Sequence, residues 1–530
     1  MSERYDAVII GAGLGGLAAG SLLARRGKKI LVLERQAKPG GYATSFSRGA
    51  FTFDVALRAL NGAKPGTLSY RCLQECGVAD RVELIPLASV YRLVTDDGEM
   101  LVEPGDLTGY RRKLAKRFPG EAANIGRLLD EAGNMFRDMS RYMATPLPHT
   151  LKLAMMPLLF PRLARYEHMT VHEFFSLFTA NERLKEALSA QWLCYGLPSR
   201  RLAFSYFSYP FYDFLAHGGY SVKGGAQALS DALVDVIREH GGRVELSSGA
   251  TRIHVDRQGV VGVSARRLGR IATSRVISNI SPEAIVGMIG EEVFPASFLT
   301  RLRNMRPAMS GFQVYLGLDC PLGTLGIEPD ECSHYFAYDL DSQSQYKKML
   351  AGDAGDDRVG WSLNFFSNVD PGLVPHGKSS VGLFTMVPGK DWLGLPPDVY
   401  RQKKAELVRL LIAKAESRVP GLSAHIELIE AGTPQTMANY TRNEQGSING
   451  FEQSVQQAGI RKRFPMRYPL NGLYQVGAWT FPGGGGMGAM LSARELVNQC
   501  FPARRLLPAW LSPRTGSAHR EGGFPLGSPK

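Results

Sequence analysis

Residues 5–34 read YDAVIIGAGLGGLAAGSLLARRGKKILVLE, and no other stretch narrows the possible folds so far. Ala7 to Ile10 is a short apolar run with the length of a buried strand. Gly11, Gly13 and Gly16 follow as G-x-G-x-x-G. Leu14, Gly15 and the residues to Arg26 have helical composition, and Gly27 stops the helix. Ile30 to Leu33 is a second apolar run, with Glu34 at its end. In such a βαβ unit the first glycine allows a tight turn and the second lets the main chain approach a pyrophosphate. The third lets helix and strand pack closely. The helix N-terminus presents free N–H groups and a partial positive charge to phosphate. The Glu34 carboxylate can accept hydrogen bonds from both ribose hydroxyls, which selects a ribose without a 2′-phosphate. A strand before, a helix after and an acid about 20 residues on separate this motif from a chance glycine pattern. The stretch predicts a dinucleotide site and leaves FAD and NAD both open.

With 530 residues and 44% hydrophobic content, the chain can build a large core and two or more domains. Its net charge of +13 is not gathered into a block of like charge, and no nucleic-acid motif accompanies it, so nucleic acid is not an expected partner. Cys72, Cys76, Cys194, Cys320, Cys332 and Cys500 are scattered without C-x-x-C spacing. They predict buried thiols in a reducing compartment and no metal site. The first strand begins too early to leave room for a signal peptide, and no apolar run is long enough to span a bilayer. The expected location is the cytoplasm, with membrane association at its cytoplasmic face.

Beyond Glu34 the chain continues Arg35-Gln-Ala-Lys-Pro-Gly-Gly41, then Tyr42-Ala-Thr-Ser-Phe46 and Phe51-Thr-Phe-Asp54. The pair Gly40-Gly41 makes a loop that can pass close to a cofactor, and a pure nicotinamide enzyme does not need one here. On this pattern the chain resembles the FAD-binding oxidoreductases of the phytoene desaturase, carotenoid isomerase and retinol saturase superfamily. The resemblance implies FAD as cofactor, with Arg35, Gly40, Gly41 and Tyr42 along it. Relatives commonly have Arg where Tyr42 stands, and continue FDxG where this chain reads Asp54-Val-Ala-Leu-Arg58. A second segment carries the likeness. It comprises Val222-Lys-Gly-Gly225, a helix from about Ala226 to His240, strands at Val244 to Leu246, Ile253 to Val255 and Val260 to Val263, and Arg275-Val-Ile-Ser-Asn279. The likeness implies a return to the FAD domain, with backbone near Ala250 at the adenine. The third segment is GLYQVGAWTFPGGGGMG, from Gly472 to Gly488, before a helix from about Ala489 to Gln499. Its four glycines, Gly483 to Gly486, need backbone freedom. In the superfamily this element sets a helix N-terminus at the flavin. That implies Met487 and Gly488 N–H groups here, with Gly477, Ala478, Gly484 and Gly485 in the same turn. Such a terminus stabilises the negative charge of a reduced flavin.

The fold class so implied is α/β, with a discontinuous Rossmann-type, glutathione reductase-like FAD domain and an α+β substrate domain. The FAD domain takes residues 1–65, 218–290 and 466–500. The substrate or lid domain takes 66–217 and 291–465, and 501–530 forms a disordered tail. Residues 145–165 are apolar, broken by Pro157 and Pro161 and flanked by Lys152, Arg162 and Arg165. They read either as a kinked core or lid helix or as a segment dipping into lipid with its basic residues at the headgroups. Phe204 to Phe214 is dense in aromatic side chains, suited to a core or to a tunnel for a long apolar substrate.

The chemistry that fits is hydride transfer between flavin N5 and a C–C or C=C bond of a long apolar isoprenoid or polyene. Desaturation, saturation and isomerisation all use these parts. Among Tyr212, Asp213, His217, Tyr220 and Lys223, the acid/base candidates chosen are Asp213 and His217. With a single G-x-G-x-x-G that is followed by a second strand ending in an acid, at Gly11 to Gly16, no second nicotinamide domain is evident, so a quinone or oxygen is the expected electron acceptor. Two other readings stand beside this one. An amine-oxidase-like enzyme of a smaller polar substrate would carry a carboxylate-paired aromatic cage, and a flavin-bound lipid escort protein would show no turnover.

Overall fold

The computed structural model describes residues 4–502. The amphipathic piece expected at Leu506–Leu511, and the tail after it, lie outside the described residues. The apolar runs Ala7–Ile10 and Ile30–Leu33 pair in parallel, Ala7 opposite Ile30 and Ile10 opposite Leu33. They sit inside a five-stranded sheet in the order Arg243–Glu245, Ile30–Leu33, Ala7–Ile10, Val276–Ser278, Leu473–Gln475, every pair parallel. A parallel sheet covered on both faces has no solvent side, so its central strands are apolar without alternation. Alternate residues still divide between two cores. Ala7, Ile9, Ile30 and Val32 face the helices Leu14–Arg25, Ala226–Glu239 and Gly486–Cys500. Val8, Ile10, Leu31 and Leu33 face the antiparallel strands Ala250–Asp256, Gly259–Ala265 and Gly269–Ala272.

A second, seven-stranded sheet has the order Ile426–Gly432, Ser310–Leu318, Ser379–Val387, Trp361–Phe365, Ser333–Phe336, Tyr91–Thr95, Gly98–Val102. Its pairs are antiparallel except Tyr91–Thr95 with Ser333–Phe336. One face is mostly apolar: Phe312, Val314, Trp361, Leu363 and Phe365 pack with Leu407, Leu411 and Ala415 of the helix Pro397–Arg418. Among the alternate residues of the same strands are Gln313, Ser333, Ser362 and Asn364, beside Tyr315 and Tyr335. Register sets Ser333 opposite Asn364. The first four are buried, and all four line the cavity described below.

The helices Leu107–Arg117 and Ala122–Ala144 are separated at Pro119-Gly120, as their composition predicts. Residues 145–165 form three short helices, His149–Ala154, Met156–Leu159 and Pro161–Tyr166, with Pro157 and Pro161 each in a first turn, where the missing N–H has no helical partner to lose. Lys152 corrects the headgroup expectation. It is 0% exposed, forms an ion pair with Glu495 and donates to the Tyr142 carbonyl at 3.0 Å. Leu158, Arg162 and Arg165 do reach the surface. The cysteines are all free thiols, and Cys72 and Cys76 are buried. Among the described residues, no helix is long and apolar enough to cross a membrane.

Candidate functional site

The helix Leu14–Arg25 starts at Gly13, and no side chain caps it. The N–H groups of its first turn therefore have no helical acceptor and remain for a ligand. Close packing explains the glycines around it. A Cβ at Gly16 would overlap the Gly11 carbonyl oxygen, so helix and strand touch main chain to main chain. The Asn279 amide fills the space beside Gly13, Gly15 and Gly477. A Cβ at Gly13 would lie 2.7 Å from Asn279 Nδ2, one at Gly15 2.5 Å from Oδ1, and one at Gly477 would overlap Oδ1. Asn279 is thus a positioning residue of the turn, one the sequence reading recorded only as the end of a strand.

Glu34 has both carboxylate oxygens fixed. Ala12 N donates to Oε2 at 2.8 Å and Gln36 N to Oε1 at 2.7 Å. Each oxygen keeps a further lone pair. The Gly40 loop is tied to the motif by Gly40 N donating to the Ala12 carbonyl at 2.7 Å. Tyr42 closes the loop from the far side, its hydroxyl donating to the Ser447 carbonyl at 3.0 Å, and burial pushes its phenol up to about 12.

The second helix, Gly486–Cys500, starts three residues earlier than its composition suggested, so Met487 and Gly488 fall in its first turn. Gly485 precedes it at φ +87° with no side-chain cap. Of the four glycines only Gly483 and Gly485 adopt positive φ. Gly484 and Gly486 answer a lack of space instead: their Cβ atoms would lie 2.9 Å from Asn449 Oδ1 and 2.6 Å from Leu57 Cδ1.

Both helix N-termini open onto one cavity of about 1090 Å³. Gly11, Gly13, Leu14, Gly15, Glu34, Arg35, Gly40, Gly41, Tyr42 and Ala250 lie on its wall, as do Ala478, Gly484, Gly485, Met487 and Gly488. Gly16 and Gly477 do not; they act behind it, through the packing just described. The aromatic run is divided. Phe204, Phe207 and Phe211 of the helix Phe204–His217 enter the core, whereas Tyr206, Tyr209 and Phe214 face the cavity. Asp213 and His217 are brought together, His217 Nδ1 lying 2.7 Å from Asp213 Oδ1, but neither is on the cavity wall. Asp213 is 0% exposed and accepts from Asn61 Nδ2 at 2.6 Å, which ties the helix to the strand Leu60–Asn61.

Two arginines on the wall were not candidate site residues: Arg58 stood out in sequence only as a departure from FDxG, and Arg463 carried no signal. Arg58 donates to Ser333 Oγ at 3.2 Å and Cys194 Sγ at 3.1 Å, and also bonds Asn364 Oδ1 and the Tyr335 hydroxyl. Arg463 lies over the Tyr206 ring at 5.2 Å, beside Gly483. The acids of the wall are engaged elsewhere. Asp54 binds Ser45 Oγ and the Ala226 N–H, and Glu430 pairs with Arg48 and Lys404.

This donor set fits a flavin dinucleotide. Two uncapped helix N-termini suit a pyrophosphate and an electron-rich ring edge, and the fixed Glu34 carboxylate suits ribose hydroxyls. The flavin containing amine oxidoreductase family matches residues 14–500. The chain belongs to this family. Its cofactor is FAD, and it is an oxidoreductase. It is 24% identical over 496 residues to a chloroplastic prolycopene isomerase of Daucus carota (91% of this chain, 78% of the relative). It is 25% identical over 518 residues to a zeta-carotene-forming phytoene desaturase of Myxococcus xanthus (96% of both). With an all-trans-retinol 13,14-reductase of Danio rerio it shares 25% over 511 residues (90% of this chain, 82% of the relative). Among solved structures, putrescine oxidase bound to putrescine superposes with a TM-score of 0.61 at 13% identity (94% of this chain, 98% of that one), a likeness of fold.

Proposed function

We propose that this oxidoreductase acts on a C–C or C=C bond of a long apolar isoprenoid or polyene. The observation that carries this reading is the make-up of the cavity wall outside the glycine cradle, where Leu57, Val90, Met139, Met143, Leu193 and Phe214 face the space. Bound FAD supplies the two-electron redox centre. The chain's residues exclude water from that wall, orient an extended hydrocarbon between Met and aromatic side chains, and hold the helix N-terminus at Met487 and Gly488 ready for developing negative charge. The proteins named above as carotenoid and retinol enzymes support the same substrate class. We assign Asp213 and His217 a positioning role, clamping the helix that presents Tyr206, Tyr209 and Phe214.

The amine reading has the putrescine oxidase likeness in its favour. Against it stand Arg58 and Arg463 on the wall, since a protonated amine would be repelled by two guanidinium groups and finds no free carboxylate there. An apolar substrate arrives from a membrane, and we propose the surface around Leu158 as the point of attachment. Leu158 is 76% and Leu151 41% exposed, close in sequence to the surface residues Arg162 and Arg165. The segment adjoins the cavity through Phe160, which packs on Tyr142, the neighbour of wall residue Met143. The test is anaerobic titration of the purified yellow protein, oxidised and chemically reduced, with a polyene extract and with putrescine. A change in flavin absorbance with a polyene fraction supports the reading. Bleaching by the amine alone overturns it.

A further inference from the structure

The apolar cavity contains a polar corner that a pure hydrocarbon does not need. Gln313, Ser333, Ser362 and Asn364 stand on the inner face of the second sheet, although the opposite face of the same strands is mostly apolar. Over this corner lies Arg58, whose partners are a serine, an asparagine, a thiol and a phenol, all neutral acceptors. Among the described residues it makes no ion pair. Arg463 is 9% exposed, lines the same cavity, and makes neither a side-chain hydrogen bond nor an ion pair among the described residues. Its one contact of note is the face of Tyr206. The two arginines are linked through one neighbourhood. Arg58 bonds Cys194, the residue before Tyr195, and Tyr195 packs edge-on against Tyr206. Burial pulls the Arg463 guanidinium down to about 10, which leaves it charged at neutral pH. A buried cation without a counterion is costly, and the ordinary remedy is an anion.

We propose that the substrate is amphipathic, a long apolar chain bearing a carboxylate that Arg463 receives inside the cavity, with the uncompensated charge of Arg58 adding to the attraction. The Arg463 guanidinium presents paired N–H donors in a plane, which the two oxygens of a carboxylate accept together, whereas the Nη groups of Arg58 are taken by Ser333, Asn364, Cys194 and Tyr335. The Met and aromatic wall takes the chain. The carboxylate end fixes how deep the chain enters, and so which carbon stands at the redox centre. This rests on the apolar-chain reading above.

The probe is cis-parinarate, a polyene fatty acid, with its methyl ester as the uncharged control, each titrated against the flavin-bound protein by fluorescence. Acid binding at least tenfold tighter than the ester is expected for the unaltered protein. In Arg58→Met and Arg463→Met the acid loses tenfold or more while the ester changes less than twofold, and flavin content stays the same. Arg463→Met has no hydrogen bond to lose, so it serves if Arg58→Met does not fold. Equal binding of acid and ester overturns the carboxylate assignment and leaves the apolar-chain reading intact. Binding of neither overturns both. Loss of flavin from Arg463→Met overturns the assignment by giving that arginine to the cofactor.

Discussion

Glu34→Gln is the sharpest test of how the chain grips its cofactor. In the structure each carboxylate oxygen already accepts one main-chain N–H, from Ala12 and from Gln36. An amide replaces one oxygen by a donor, so one of these N–H groups must face an N–H instead of an acceptor. That penalty, about 1–3 kcal/mol for an unpaired buried group, exists with and without FAD. It lowers stability and cancels from the affinity. What the affinity loses is one charge-assisted bond to a ribose hydroxyl, about 1.5–3 kcal/mol. At 1.4 kcal/mol per factor of ten this is roughly a 10- to 100-fold rise in the FAD dissociation constant. The assay is flavin released on dilution of the purified protein, followed by absorbance and by titration of the apoprotein with FAD. A dissociation constant within twofold of the unaltered protein would refute the ribose role, even if the thermal midpoint fell.

Three further outcomes follow from particular contacts. Lys152→Met leaves Glu495 buried without its partner and should cost about 3–5 kcal/mol in denaturant unfolding; the double substitution Lys152→Met, Glu495→Leu should recover most of it, and equal loss in both would dismiss the pair. Burial raises the Asp54 carboxyl to about 6, so the folded protein binds more protons than the unfolded chain between about pH 4 and 6. Stability should therefore fall as pH rises through that window, and Asp54→Asn should flatten the thermal midpoint there; identical profiles would exclude this group as the source. Leu158→Asp should reduce sedimentation with anionic vesicles several-fold without altering flavin content, and unchanged sedimentation would remove the attachment surface.

The parallel sheet was legible because burial on both faces writes itself as unbroken apolar runs, of which AVII and ILVL are the clearest. Asn279 could not be weighted from sequence, because the space it fills lies between Gly13, Gly15 and Gly477, which meet only in the fold. The seven-stranded sheet is harder to read from alternation. Its strand WSLNF alternates like a solvent-facing strand, yet Ser362 and Asn364 face an internal cavity. Periodicity reports which side is polar and is silent on what lies there. Asp213 and His217 were chosen as acid/base candidates and the fold does bring them together, but which way that helix face turns depends on Asn61, far away in the chain.

Arg58 is the instructive case. In sequence it is only a departure from FDxG, and its partners Cys194, Ser333, Tyr335 and Asn364 are spread over the chain. Once assembled, they change the electrostatics of the whole site. A cavity with an apolar wall alone would admit any hydrocarbon of suitable width and would set no register along its length. A cavity whose acids are all engaged, and whose Arg58 and Arg463 make no ion pair among the described residues, carries a net positive field in a low-dielectric space. Such a field repels an ammonium group and draws in an oxyanion, so it separates the readings that the fold leaves together. The family likeness brings amine, carotenoid and retinoid enzymes under one architecture, and the charge on the wall is the ground on which we propose one substrate class over another.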